Sequence, residues 1–228
     1  MKILAIDCAT NLLSVTAFNG NLFASGDFFL PMEQGAKMLP LVDSLLEKVK
    51  LQTGDLEVVA ATEGPGSFTG LRLGYSCAKA ISFGAGIPFY AVSSMKVRAY
   101  PFLSCGFPVV AAIDAKKNRF FCGFFHNGDQ LLEDSDLSAE DGATKISEIM
   151  EGRGISGPVL VCGEDSVLFA EKANPVVDKK LFCPVADLVS PSRSLAKIAY
   201  SMFAEGFAPL EDDAGPKYIR CSDAEAWN

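Results

Sequence analysis

Histidine is nearly missing from this chain of 228 residues: His126 stands alone beside 20 basic and 28 acidic residues. Metal sites with two imidazole ligands, His-Glu-x-x-His proteases and relays with separate acid and base histidines are excluded. Any chemistry must run on carboxylates, lysines, hydroxyls, backbone amides or a bound partner. Long apolar runs are also missing. Although 49% of the residues are hydrophobic, no uninterrupted stretch approaches the roughly 18 residues of a membrane span. At the N-terminus, Ile3-Leu4-Ala5-Ile6 is broken by Asp7, too short for the apolar region of a signal peptide, so a cytoplasmic protein with no membrane contact is expected. There is no Cys-x-x-Cys pair. The seven cysteines Cys8, Cys77, Cys105, Cys122, Cys162, Cys183 and Cys221 are odd in number and scattered. That is neither a disulfide framework nor a zinc pattern, and it reads as small buried thiols in a reducing compartment. Clustered positive charge is lacking as well. With a formal net charge of -8 and its Lys and Arg spread out, the chain is not built to grip nucleic acid unaided.

What is present is a unit written twice, in a length that accommodates one large or two small domains. Leu4 to Asp7, Ser14 to Phe18, the turn Asn19-Gly20 and Leu22 to Phe29 read as strand, strand, hairpin turn and strand. Ala112-Ile113-Asp114, Arg119 to Phe125, Asn127-Gly128 and Gln130 to Leu137 repeat the order. From position 7 to position 114 the offset is 107, and from 19 to 127 it is 108, which suggests duplication. In the first half Met38, Leu41, Val42, Leu45, Leu46 and Val49 recur with helical spacing. Pro40 lies inside that pattern and marks either a helix start or a kink. A strand Val58 to Thr62, a Gly-rich loop, a helix near 68–84, a strand Phe89 to Val92 and a helix from Ser94 follow. The second half continues with a helix near 139–150, a strand Val159 to Cys162, a helix near 166–173 and a last helix near 192–205. The expected fold is α/β with helices packed on mixed sheets, divided near Ser104 to Pro108 into subdomains 1–104 and 105–228.

The most distinctive stretch is Gly64-Pro65-Gly66-Ser67-Phe68-Thr69-Gly70-Leu71-Arg72. A P-loop would need Gly at 69 and a Lys after the last Gly; Thr69 stands there and no Lys follows Gly70. A dinucleotide fingerprint would need a carboxylate about 20 residues on, where Val92-Ser93-Ser94 has none, and Pro65 removes an amide that a phosphate nest would use. The remaining reading is a tight turn with Ser67 or Thr69 capping the next helix. That helix is apolar over most of its circumference, with Leu71, Tyr75 and Ala78 on one side and Leu73, Gly74, Cys77, Ala80, Ile81 and Gly84 on the other. It therefore calls for cover on both sides, supplied by a partner's helices or by a three-layer pack within the chain.

Two units, each opening with a strand that ends in Asp, have the layout of the actin, sugar kinase and Hsp70 superfamily, with ribonuclease H-like subdomains. There, as the resemblance implies, the two hairpins cradle nucleotide phosphates. Here Asp7-Cys8-Ala9-Thr10 has Ala9 where kinases of the superfamily carry Gly, and the turn after Asp114 also lacks glycine. A Cβ there hinders backbone approach to an anion, so Asp7, Thr10 and Asp114 read as a degenerate nucleotide cleft in which each carboxylate caps its own turn.

At the glycine loop the sequence closely resembles the TsaB (YeaZ) family. The likeness extends from Met1-Lys-Ile-Leu-Ala-Ile-Asp7 through Val109-Val-Ala-Ala-Ile-Asp-Ala115 to Pro216-Lys-Tyr-Ile-Arg220 and Ala226-Trp227. Pro31-Met32-Glu33-Gln34 departs from the basic-acidic-His run of many relatives, and Lys116 replaces an Arg. The resemblance implies a noncatalytic scaffold without cofactor or metal. It implies a heterodimer with the paralogue TsaD, which works with TsaE to make threonylcarbamoyladenosine beside the anticodon of tRNAs reading codons that start with A. Contact with tRNA would be indirect, through the complex. The contact helices would be 36–50 and 68–84, with Met38, Leu41, Val42, Leu45, Leu71, Tyr75 and Ala78 at the interface; alone, the same helices could pair two copies. A phosphotransferase using Asp7 or Asp114 as base is the alternative from another class. The old glycoprotease label would rest on His126, which reads instead as a strand-end residue at a hairpin turn. The runs Glu133-Asp134-Ser135-Asp136 and Glu211-Asp212-Asp213 read as solvated surface.

Overall fold

The computed structural model describes residues 1–177, 181–186, 189–211 and 213–220. Asp212, Cys221 and Ala226-Trp227 lie outside them. In the first half, β1 (Lys2–Asp7), β2 (Leu12–Asn19) and β3 (Leu22–Phe29) form a meander, followed by α1 (Gln34–Lys48), β4 (Val58–Gly64), α2 (Phe68–Ala85), β5 (Phe89–Ser93) and the short α3 (Ser94–Ala99). The second half repeats the order with β6 (Val109–Lys116), β7 (Arg119–His126), β8 (Asp129–Leu137), α4 (Ala139–Arg153), β9 (Val159–Cys162), α5 (Ser166–Ala173), β10 (Phe182–Pro184) and α6 (Pro191–Ala204). The sheets run β3-β2-β1-β4-β5 and β10-β9-β6-β7-β8. In each, the first strand pairs antiparallel with the second and parallel with the strand after the first long helix. Strand β10 is three residues long, too short to leave a periodic signal in the sequence.

Two compact units result, one of residues 1–97 with 189–218 and the other of the remainder. A boundary at 104/105 assigns α6 to the second half by chain order, whereas α6 packs on β1, β2, β4 and β5 of the first. The cause is visible in β1, where Ile3, Leu4, Ala5 and Ile6 are all fully buried. A strand apolar on both faces needs a layer on each. Leu4 and Ile6 face α1 and α2, joining one core with Met38, Val42, Leu45, Tyr75 and Ala78. On the opposite face, Ser14 and Thr16 of β2 bond the Ser192 hydroxyl of α6 at 2.8 and 2.7 Å.

Helix α1 starts at Gln34, six residues before Pro40, so the proline lies within the helix, on its exposed side. There its missing amide leaves one carbonyl to solvent rather than to the core. In the second unit α4 and α5 cover Val110, Ala112, Phe120, Cys122 and Phe124. His126 ends β7 before the left-handed pair Asn127-Gly128 (φ 52° and 88°), as expected.

The residues expected at a partner interface are interior. Met38, Val42, Leu45, Leu71, Tyr75 and Ala78 are 0–3% exposed, and Leu41 is half-buried above Gly26. The apolar period marks the face that covers the sheet, which the chain itself supplies. Leu45→Asp would put an unpaired charge in that core and should cost at least about 3 kcal/mol, read by urea unfolding of the full chain. A loss near about 0.5 kcal/mol, usual for surface sites, would contradict the placement.

Candidate functional site

The loop from Gly64 to Gly70 is held by the β1–β2 turn. Ser67 caps α2, its Oγ accepting the Gly70 amide at 3.3 Å, and its own amide donates to Ala9 O at 2.7 Å. A Cβ on Gly66 would lie 2.3 Å from Ala9 O, and one on Gly70 would lie 2.1 Å from Cys8 O. Both distances are impossible for any other residue, so the glycines serve a backbone-to-backbone contact within the unit. The Gly64–Pro65 peptide is cis.

Around the turn the polar groups are committed internally. Asp7 is fully buried, its Oδ1 accepting from the Ala9 amide at 3.0 Å and from Thr62 Oγ1 at 2.7 Å. Thr10 Oγ1 accepts the Leu12 amide at 3.2 Å, and Gln34 Nε2 donates to Thr10 O at 2.8 Å. Asp7 therefore caps its own turn, and the carbonyls of Cys8 and Ala9 face the glycine loop. Carbonyl oxygens repel a phosphate where superfamily kinases offer it amides. Gln34, 7% exposed, ties α1 to this junction. The sequence carried no signal for that beyond its departure from the family pattern.

The matching turn of the second unit is built differently. Lys116, Lys117 and Asn118 take left-handed φ of 63°, 53° and 59° in succession, a conformation costing roughly 1 kcal/mol or more per residue. Asp114 offsets part of this: its carboxylate accepts from the Lys116 amide at 2.8 Å and from Lys116 Nζ at 2.7 Å. Asp165 Oδ2 accepts the Asp114 amide at 2.7 Å. Burial pushes the Asp114 carboxyl up, but the two Lys116 hydrogen bonds and the charges of Lys116 and Lys172 together hold it below its ordinary value.

Over the glycine loop lies the tail. Lys217 donates its amide to Glu63 O at 2.7 Å and its Nζ to Glu63 Oε1 at 2.9 Å. The Arg72 guanidinium stands 3.8 Å from the Phe68 ring centre, and its Nε donates to the Tyr218 hydroxyl at 3.0 Å. The Phe68 and Tyr218 rings are 4.6 Å apart. Lys79 Nζ bonds Ala214 O at 2.9 Å. The signature residues Phe68 and Arg72 are thus joined to Pro216-Lys-Tyr-Ile-Arg220 through Tyr218, a meeting that sequence spacing alone could not show.

The surplus apolar surface is on the outer side of the same two helices. Leu39 of α1 and Phe83 of α2 are 58% and 83% exposed, with Leu73, Cys77 and Ile81 half-buried and Ala80 and Gly84 exposed. Gly35 of α1 lies against the Leu73 side chain of α2. Burial, with Asp7 and Cys77 adding to it, raises the Cys8 thiol well above its usual value. Burial together with Asp134 and Asp136 pushes Cys122 up to about 12. Cys105, by contrast, is exposed. Among the described residues no cluster of three or more His, Cys, Asp or Glu could hold a metal ion.

Two mixed five-stranded sheets of the same strand order, with Asp7 closing β1 and Asp114 near the end of β6, make this a protein of the actin, sugar kinase and Hsp70 fold class. A family model described as TsaD: tRNA N6-adenosine threonylcarbamoyltransferase matches residues 35–212, and the chain belongs to that family. Within it, the full-length likeness is to TsaB, also called YeaZ. The Escherichia coli "tRNA threonylcarbamoyladenosine biosynthesis protein TsaB" is 29% identical over 96% of this chain and 95% of its own. Its Bacillus subtilis namesake is 27% identical over 99% and 97%. The crystal structure of YeaZ from Pseudomonas aeruginosa superposes with a TM-score of 0.72 at 22% identity, covering 95% of this chain and 99% of that one.

Two outcomes test this geometry. Gly70→Ala should lower the melting temperature by about 6–12 °C, corresponding to roughly 3 kcal/mol in a chain of this size. Gly54→Ala, whose Cβ would meet nothing within 4 Å, should change it little. The Asp114 carboxyl, followed by NMR, should titrate below 3.8 and move upward in Lys116→Ala. Because the folded pKa is depressed, its stabilisation is present above the ordinary value and lost as pH falls through the folded one.

Proposed function

We propose that the chain is a noncatalytic subunit in the biosynthesis of tRNA threonylcarbamoyladenosine, docking on TsaD through the outer face of α1 and α2. The reading is carried by the exposed apolar face around Leu39 and Phe83 in a chain similar to TsaB over its whole length. The contact set is moved from the inner positions Met38, Leu41, Val42, Leu45, Leu71, Tyr75 and Ala78 to the outer ones: Leu39, Leu73, Cys77, Ala80, Ile81 and Phe83. Helix ridges can seat in the grooves of a partner's helices, and α2 carries only two charges, Arg72 and Lys79, both bonded to the tail, so its outer side resembles the core of a stable interface.

A scaffold role accords with the rest of the chain. One histidine cannot supply a two-imidazole metal site, and the turn after Asp7 presents carbonyls rather than amides. TsaE and tRNA would be met through the assembled complex, since a net charge of -8 opposes direct phosphate binding. No helix among the described residues is long and apolar enough to cross a membrane, which accords with a cytoplasmic site of action.

Coexpression with TsaD tests the docking face. Phe83→Asp should abolish copurification, and Leu39→Asp should weaken it at least tenfold, as loss of a central anchor does, while both variants keep the melting temperature of the parent. The same variants should fail to restore the modified adenosine, measured by mass spectrometry of tRNA digests from cells lacking the parent. Undiminished complex formation by both would overturn the assignment.

A further inference from the structure

Arg153 and Asp129 bring opposite charges to the walls of one cleft in the second unit, and the two are not paired with each other. The cleft has a volume of about 650 Å³, and its lining includes His126, Asp129, Leu131, Arg153, Ile155 and Ser156. That is the size of a small-molecule site. Tight turns hold both walls. On one side, Asn127 and Gly128 are left-handed (φ 52° and 88°) and His126 pairs with Asp129 across them, which puts the two side chains on one face of the hairpin. On the other, Gly154 ends α4 in the left-handed region (φ 65°), and the Ile155 amide turns back to Met150 O at 2.8 Å. Among the described residues, the side chains of Arg153, Asp129 and Ser156 make no ion pair or hydrogen bond. His126 Nδ1 is buried without a partner. Such a nitrogen is least costly as a lone pair, so the ring proton is assigned to Nε2, which becomes the donor.

We propose that this cleft binds a small zwitterion, an α-amino acid with an apolar side chain. A lone anion would gain from Arg153 and lose to Asp129, and a lone cation would do the reverse. A ligand that carries both charges on neighbouring atoms satisfies both walls. Its carboxylate accepts from the Arg153 guanidinium, whose fork matches a carboxylate, and from His126 Nε2 and the Ser156 hydroxyl. Its ammonium donates to Asp129, and Leu131 and Ile155 supply the apolar wall for its side chain. No residue of the α1–α2 docking face takes part. The single histidine, idle in every other respect, acts here as a neutral donor.

Because His126 is the only histidine, its ring C–H signals are one isolated reporter in the NMR spectrum of the full chain. Leucine titrated to about 30 mM at constant pH should move them saturably, with a dissociation constant of roughly 1–10 mM, as about nine non-hydrogen atoms in an open cleft allow. Leucinamide, which lacks the carboxylate, and N-acetylleucine, which lacks the ammonium, should each bind at least about fivefold more weakly. Arg153→Met and Asp129→Asn should weaken leucine by a similar factor without changing the melting temperature. Signals unmoved by leucine overturn the proposal, and so does unchanged binding of leucine in either variant. N-acetylleucine binding as well as leucine also overturns it, since a carboxylate alone, such as a peptide C-terminus, would then be the ligand.

Discussion

The contact on which the first unit depends is a meeting of backbones. The carbonyls of Cys8 and Ala9 lie so close to Gly66 and Gly70 that a single added carbon at either glycine would overlap an oxygen. That contact seats the start of α2 on the end of β1, and α2 in turn fills the core with Leu71, Tyr75 and Ala78. Gln34 joins α1 to the same turn, and the tail closes over the loop through Glu63, Phe68 and Arg72. The β1–β2 turn, the start of α1 and the tail, far apart in the chain, thus converge on the glycine loop. The sequence motif is specific because backbone packing at this distance admits one residue type.

The same turn engages two of its own amides. A turn that cradles an anion must leave its amides free to point at it, and here the Ala9 and Leu12 amides bond Asp7 and Thr10. The Asp7 carboxylate is folded inward against Thr62. In the second unit the turn is left-handed over three residues and is braced by a salt bridge between Asp114 and Lys116. One order of elements occurs twice, and its two occurrences build their turns differently.

Much of the architecture was legible because its signals are local. The strand ends at Asp7 and Cys162, the turn at Asn127-Gly128, the start of α2 at Phe68 and the span of α5 follow from alternation, turn chemistry and capping over a few residues each. Which side of α1 and α2 faces outward was not legible. Met38, Leu45 and Tyr75 form the strongest apolar stripe, and such a stripe identifies the side that meets something without naming what it meets. The covering layer turned out to be the chain's own sheet, and Leu39, Ala80 and Phe83 were left exposed, with Leu73 half-buried beside them.

By itself, then, the sequence determined the repeated order of elements, the family motif at Gly64–Gly70 and the chemistry ruled out by one histidine, since each depends on residues near one another in the chain. Tertiary structure alone decided that α6 covers the first sheet, that Tyr218 meets Phe68 and Arg72, and which side of α1 and α2 faces outward. Those are long-range matters: a helix covers whichever apolar surface remains open, and that is known only once every other layer has been placed.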